Sequence, residues 1–308
     1  LLSVFRSTLP TMSLLAAMIL WASSFIALKV AFQSCHPMLV IFGRMLVASI
    51  VILFFFRRLR NVRLRRADFP FLLVMAVSEP CLYFLFEAKA LENTTASQAG
   101  MITAMLPLMV AVGAHFYLHE KISRRTIGGF GLAIFGAVLL SLAGEVSEAA
   151  PRPLLGNFCE FVAMACATVY TLALKRLTAS YSPFFLTAFQ AFIGSLFFFP
   201  FLLFLPGGGL PSRLDLVPVL AVVYLGVFVT LGAYGSYNFA VSRIPANQAA
   251  AFINLIPVLT LGLAWLILHE RFNALQYVAG GLVFLGVFLS QDRGFGELAI
   301  KPEDALVR

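Results

Sequence analysis

The stretch ALENTTASQAGMITAMLPLMVAVGAHFYLHE at residues 90–120 returns, altered but in register, as AVSRIPANQAAAFINLIPVLTLGLAWLILHE at residues 240–270. A constant offset of 150 pairs Ala90 with Ala240, Gln98 with Gln248, Pro107 with Pro257, and His119-Glu120 with His269-Glu270. The offset holds through Gly131/Gly281 and Gly136/Gly286, and 13 of the 50 positions from 90 to 139 are identical without a gap. Two unrelated apolar segments would not share so many. A doubled membrane domain is a recurring plan of secondary transporters, because two related halves can rock around a site between them.

Upstream, the repeat continues at an offset of 146. Ala17-Met18 matches Ala163-Met164, Ala27-Leu28-Lys29 matches Ala173-Leu174-Lys175, Pro37 matches Pro183 and Ser49 matches Ser195. The change to 150 implies about four extra residues in the second half, and Pro206-Gly207-Gly208-Gly209 looks like their place. Each half then holds five helices. The division falls near 143–152, in the polar run Gly144-Glu145-Val146-Ser147-Glu148, giving repeats at 1–147 and 148–308.

The composition is that of a polytopic membrane protein. The 308 residues are 61% hydrophobic and 12% charged, against roughly 25% charged in soluble domains. A span needs about 20 apolar residues. Ten are expected, near 11–31, 37–57, 69–90, 94–118, 123–142, 154–175, 183–205, 215–241, 246–268 and 273–290. The fold class is therefore all-α integral membrane, ten transmembrane helices arranged as two inverted five-helix repeats. No cleavable signal peptide is evident, and the start at Leu1 without Met predicts a trimmed N-terminus.

The net charge of +8 is not a nucleic-acid signal, because the basic residues collect in the loops of one side. Arg57, Arg58, Arg60, Arg63, Arg65 and Arg66 lie between spans two and three. Together with residues such as Arg124, Arg125, Lys175, Arg176 and Arg243, they put 16 basic residues on that side. The other side holds 4: Lys89, Arg152, Arg213 and Arg271. Cytoplasmic loops collect Lys and Arg, so both termini are predicted cytoplasmic. Five spans per half invert the second half relative to the first.

The ten spans, the doubled five-helix unit, the Pro in the fourth helix of each half and the Glu after it (Glu120, Glu270) resemble the drug/metabolite transporter superfamily, and within it the EamA-type exporters. The aromatic, weakly charged interior is similar to the YddG-type amino-acid exporters. The resemblance implies an exporter of small neutral metabolites, amino acids foremost, in a bacterial inner membrane, with a central cavity between the halves. Members usually carry Gly before that Glu, whereas here His119 and His269 stand there.

Glu79 is the sharpest single residue: a carboxylate near mid-span, followed by Pro80. An ionisable group at that depth normally faces a cavity or a partner. Its spacing with Tyr83 and Glu87 places all three on one helical face. There it can bind a substrate ammonium or accept a proton, or serve as a buried structural carboxylate. Arg44 can bind a substrate carboxylate, pair with Glu79 or Glu87, or snorkel to the interface. Thr230, Tyr234, Tyr237 and Asn238 form a polar aromatic stripe that suggests a cavity wall, with helix-to-helix hydrogen bonding as the plain alternative. Trp21, Ser24, Tyr170 and Asn254 are further candidates. Lys29 and Lys175, at span ends, are expected to snorkel. Pro80, Pro107 and Pro257 are hinge candidates or static kinks. The glycines Gly128, Gly129, Gly131, Gly136, Gly280, Gly281 and Gly286 are expected to be packing surfaces.

His119-Glu120 and His269-Glu270 lack the second His of an HExxH zinc site, so no metal is expected. The two loop carboxylates are expected to cap the next helix or bind the loop's basic residues. Cys35, Cys81, Cys159 and Cys166 show no metal or redox spacing. There is no Walker A loop, so no ATPase subunit and no cofactor are implied. The four histidines do not cluster as an enzyme would need. The expected partners are a small-molecule substrate and membrane lipid. Purines, drug-like cations and sugar phosphates remain open as other cargo, and oligomeric state is left open.

Overall fold

The computed structural model describes residues 2–60, 62–118, 123–205 and 215–290. Regular structure among them is helical, apart from one isolated bridge between Ser147 and Ala150. The apolar helices are α1 (Thr8–Phe32), α2 (Pro37–Leu53), α3 (Arg66–Asn93), α4 (Ala96–Phe116), α5 (Arg124–Leu142), α6 (Pro153–Leu177), α7 (Pro183–Phe204), α8 (Leu216–Val241), α9 (Ala246–Ile267) and α10 (Ala274–Ser290). Among the described residues, eight are long and apolar enough to cross a membrane. The other two, α2 and α10, have 17 residues each, at the short end of the about 17–25 a span uses. The expected second span to residue 57 ends early because the chain turns at Phe54 into a short 3-10 piece, Phe56–Arg58, where the arginines begin.

Local chemistry sets the helix starts. Pro37, Pro153 and Pro183 occupy first-turn positions, where the missing N–H costs little. Thr95, Ser123 and Ser182 accept from the backbone N–H groups of Gln98, Thr126 and Phe185, satisfying donors that a helix start leaves free.

Four helices are interrupted, in two matched pairs. α3 widens to a π-helical stretch at Val77–Leu82 and α8 does so at Leu225–Ala233. α4 tightens to a 3-10 turn at Thr103–Met105 and α9 at Phe252–Asn254. The tightened turns lie just before Pro107 and Pro257, which cannot donate the hydrogen bond a regular helix needs there. All three hinge candidates therefore sit at or next to real irregularities in the helices.

Packing follows a regular scheme. α2 lies on α7, α4 on α9 and α5 on α10. α1 packs against α8 and α9, as α6 packs against α3 and α4. Ser49 and Ser195, matched at the offset of 146, meet through their hydroxyls at 2.9 Å. The α5–α10 contact is close because glycine permits it. A Cβ on Gly136 would lie 2.7 Å from the Val283 nitrogen, and one on Gly286 would lie 2.5 Å from the Ala133 nitrogen. Gly129 meets the same partner helix and Gly280 meets the Met101 side chain. Gly128, Gly131 and Gly281 instead have nothing within 4 Å, so the expectation of tight packing fails for these three, which face away from neighbouring helices.

Gly136→Ala is expected to lower the melting midpoint in detergent, with overpacking against backbone costing about 1–3 kcal/mol. Gly281→Ala, which meets no neighbour, is expected to hold or raise it through helix propensity. Equal midpoints for the two variants would contradict this packing account.

Candidate functional site

Seven helices, α1, α2, α3, α4, α6, α8 and α9, surround a cavity of about 520 Å³. Its wall includes Trp21, Ser24, Arg44, Glu79, Tyr83, Glu87, Tyr170, Tyr234 and Tyr237. All of these side chains are buried except Trp21, which is half-buried. The space thus lies inside the bundle, and most of the polar residues singled out in the sequence converge on it.

Glu79 reaches the cavity from a break in α3, with its backbone extended at φ −149° and ψ 117°. The continuous helical face expected for Glu79, Tyr83 and Glu87 therefore holds only for the last two. The Tyr83 hydroxyl donates to Glu87 Oε1 at 3.1 Å, one turn apart. The freed Glu79 carbonyl accepts from Gln190 Nε2 at 3.1 Å. Its carboxylate accepts a short hydrogen bond from the Tyr234 hydroxyl. Extended backbone beside Pro80, held by Gln190, aims the carboxylate inward.

Arg44 is 1% exposed, so it does not snorkel. Its Nε donates to Thr230 Oγ1 at 3.2 Å, Nη1 stands 3.9 Å from Glu87 Oε2, and the guanidinium lies 4.2 Å from the centre of the Phe84 ring. Nη2 has no hydrogen-bond partner. Burial is tolerable because the charge meets a carboxylate, a hydroxyl and a ring face. Tyr234 is the aromatic hub. Its ring centre lies 5.1 Å from Trp21 and 6.3 Å from Tyr170 and Phe84, each in an edge-on arrangement.

Two candidates stand off the cavity. Asn238 is fully buried behind its wall. It accepts from the Tyr170 hydroxyl at 2.5 Å and donates to Thr187 Oγ1 at 2.9 Å and Gln190 Oε1 at 3.3 Å. It fixes the wall instead of lining it: the adjacent Tyr237 takes the cavity face, and the Asn238 amide reaches Thr187 and Gln190 on α7. Asn254 lies in the 3-10 turn of α9 with no partner for its amide atoms, while Ile253 and Ile256 take the cavity face. Ser24 does line the cavity, but its hydroxyl is engaged on the Trp21 carbonyl at 2.6 Å. Lys29 and Lys175 bind backbone carbonyls, of Ala149 at 2.7 Å and of Val241 and Ile244 at 2.8 Å.

Thr187, Gln190 and Glu160 were missed in the sequence. The first two hide in the Phe-rich α7, three residues apart and therefore neighbours on its surface. Glu160 is a carboxylate within an apolar span, the same signal that marked Glu79.

Glu270 caps a helix, though not its own neighbour. Its carboxylate accepts from the Ala96 and Ser97 backbone N–H groups at 3.0 and 2.8 Å, at the start of α4. His269 before it has φ 56°, the left-handed region that glycine adopts most readily, so the structure explains why Gly suits this position. His119-Glu120 lies outside the described residues.

The family model of the EamA-like transporter family matches residues 9–142 and again 154–291. The chain belongs to the EamA-like transporter family. It is a multi-span membrane transporter and not an enzyme. It is 29% identical over 284 residues to an uncharacterized transporter, YetK, of Bacillus subtilis, covering 90% of this chain and 85% of the relative. A probable terminal-alkyne amino-acid exporter of Streptantibioticus cattleyicolor is 25% identical, covering 92% of this chain and 94% of that one. A probable amino-acid metabolite efflux pump of Escherichia coli K12 is 23% identical, covering 90% and 92%. One solved crystal structure superposes with a TM-score of 0.66 at 19% identity, over 92% of this chain and 96% of the other, and shows the same fold.

Asn238→Ala removes three buried hydrogen bonds and strands the Tyr170 hydroxyl. A loss of about 1–3 kcal/mol is expected, read as a lower melting midpoint. A midpoint equal to wild type would show that the layer behind the wall is dispensable.

Proposed function

We propose that the chain exports small neutral metabolites, hydrophobic or aromatic amino acids foremost, by alternating access around this cavity. The observation that carries the reading is one buried, aromatic-walled space holding both a carboxylate, Glu79, and a guanidinium with a free Nη2, Arg44. An amino acid presents an ammonium, a carboxylate and a side chain, and each has a complement here. Sugar phosphates fit poorly, since Arg44 is the sole basic residue in the lining. Two distant relatives described as amino-acid exporters lean the same way.

The supporting architecture is ten helices in two inverted five-helix repeats, at 1–147 and 148–308, with both termini cytoplasmic in a bacterial inner membrane. The reciprocal helix packing, the Ser49–Ser195 contact and the twofold family match support the repeat. The excess of Lys and Arg in the loops of one side supports the orientation. A space of about 1150 Å³ between α2, α7 and α8 reaches Thr187. A smaller one, about 200 Å³, runs from Thr187 to Phe84 and Tyr234. On this topology the pair leads from the cytoplasmic side to the cavity, and Tyr234, Thr187 and Gln190 form the inner gate.

A competition-flux screen of all amino acids on purified protein in liposomes, with and without a pH gradient, tests the reading. Saturable flux of apolar or aromatic amino acids is expected, and flux of none of them would overturn it. Glu79→Gln is expected to reduce flux about tenfold or more while leaving expression intact, since a charge-assisted hydrogen bond to an ammonium is worth about 1.5–3 kcal/mol. Full activity of that variant at every pH would remove Glu79 from the site.

A further inference from the structure

Glu160 is the strangest residue in the molecule. It is 0% exposed, in the upper half of an apolar helix, and neither carboxyl oxygen has a hydrogen-bond partner. An ionised carboxylate left so would cost several kcal/mol, about the penalty for any unpaired buried charge. Such a group instead keeps its proton and stays neutral.

Its neighbour can be read from helix register. α3 and α6 pack side by side. At one end Gly156 faces the Ala90 carbonyl and the Thr94 nitrogen, and at the other the Arg176 guanidinium lies 3.7 Å from the centre of the Phe71 ring. An antiparallel pair with these ends places Glu160 level with Glu87 on the facing helix. Glu87 is 4% exposed and has both oxygens engaged, one by the Tyr83 hydroxyl and the other facing Arg44. In this closed conformation Glu87 is equipped to be ionised and Glu160 to be protonated.

We propose that Glu160 and Glu87 form a proton-binding carboxyl pair, one proton per chain, exchanged against the exported substrate. The proposal rests on the transport reading above. In the closed state the proton sits on Glu160. On opening to water it passes to Glu87, which lines the cavity, and from there to solvent. Both carboxyls are then ionised, and the added negative charge favours a substrate ammonium at Glu79; the zwitterion is neutral as a whole, so each turn moves one net charge, that of the proton. When the substrate leaves on the far side, a proton from that side returns to the pair. Proton and ammonium each bind better in the other's absence, so one crosses in each direction.

Glu79 on α3 is the other buried carboxyl of the cavity; it accepts from the Tyr234 hydroxyl and is assigned to the substrate ammonium. The remaining titratable groups are placed so that they do not replace the pair. Tyr83 on α3 and Tyr234 and Tyr237 on α8 border the cavity, and Arg44 stands behind Glu87. Lys89 lies at the outer end of α3, where it pairs with Glu92. The titratable residues of α4 and α5, His115, Arg124 and Arg125, stand at the ends of those helices remote from Glu160. No residue of the first half repeats the feature, since position 14, equivalent to 160, is Leu14.

Infrared difference spectroscopy of the full chain in lipid tests the pair without any substrate. With Glu79→Gln already in place, so that Glu79 gives no band, the carbonyl band of a protonated carboxylic acid, shifted in heavy water, is expected to change with pH and to be lost when Glu160→Gln is added. When Glu87→Gln is added instead, it should persist but titrate at a different pH. A band unchanged by Glu160→Gln overturns the proposal. If that variant does not fold, Glu160→Leu, copying the equivalent Leu14, carries the same reading.

Coupling is read in liposomes loaded with a pH dye, with L-phenylalanine as the probe. Downhill phenylalanine is expected to drive protons the opposite way in wild type and not in Glu160→Gln, while exchange of labelled for unlabelled phenylalanine continues. Phenylalanine flux without proton movement in wild type, or unchanged proton movement in the variant, overturns the coupling. Wild type that moves no phenylalanine counts against the amino-acid reading alone, and the infrared result then decides the pair.

Discussion

In a hydrocarbon surrounding, no backbone N–H or C=O can be left without a partner, and this constraint governs where the chain departs from regular helix. The departures lie in α3, α4, α8 and α9, and each of these helices borders the cavity. At Glu79 the debt is met by a side chain from another helix, Gln190, which donates to the carbonyl that the extended backbone at Glu79 takes out of the helix. α5, α7 and α10 stay outside the cavity lining, and α5 and α10 instead pack on each other through glycine. Every interrupted helix thus borders the cavity, together with the regular α1, α2 and α6.

The second constraint is the cost of charge. Arg44, Glu79, Glu87 and Glu160 are all at or below 4% exposure. Arg44, Glu87, Tyr83 and Thr230 form one connected set, Glu79 is held by Tyr234, and Glu160 alone of the four has no partner. The atoms that find none, Arg44 Nη2 and the Glu160 oxygens, are the ones a moving ligand or proton can satisfy. A site that binds and releases must leave such capacity unspent, since a fully satisfied network has nothing to offer a substrate.

The doubling explains how the set arose and why it is one-sided. Arg44 and Gln190 are equivalent at the offset of 146, and both reach from the second helix of their half to the interrupted helix of the other: Arg44 to Thr230, Gln190 to the Glu79 carbonyl. Ser24 and Tyr170 are equivalent, and both line the cavity. Yet Glu79 aligns with Val229, Tyr234 with Phe84 and Glu160 with Leu14. The frame kept its symmetry while the chemistry lost it.

Much of this was legible in residues alone. Hydropathy and the repeat determine a helical, doubled membrane protein, because spacing and apolar length are properties of the chain itself. That Glu79, Tyr83, Arg44, Tyr234, Tyr237 and Trp21 would face an interior cavity was legible, because polar groups are rare and costly in an apolar span. Tertiary structure alone decided which of them meet. It moved Asn238 behind the wall, left Asn254 outside it, and turned Arg44 from a snorkelling residue into a buried partner of Glu87. It also showed Glu160 to be unpaired. The physical reason is that periodicity reports which face of a helix a residue occupies, whereas the π-helical and 3-10 breaks rotate that face. What lies opposite depends on neighbours hundreds of residues away in the chain.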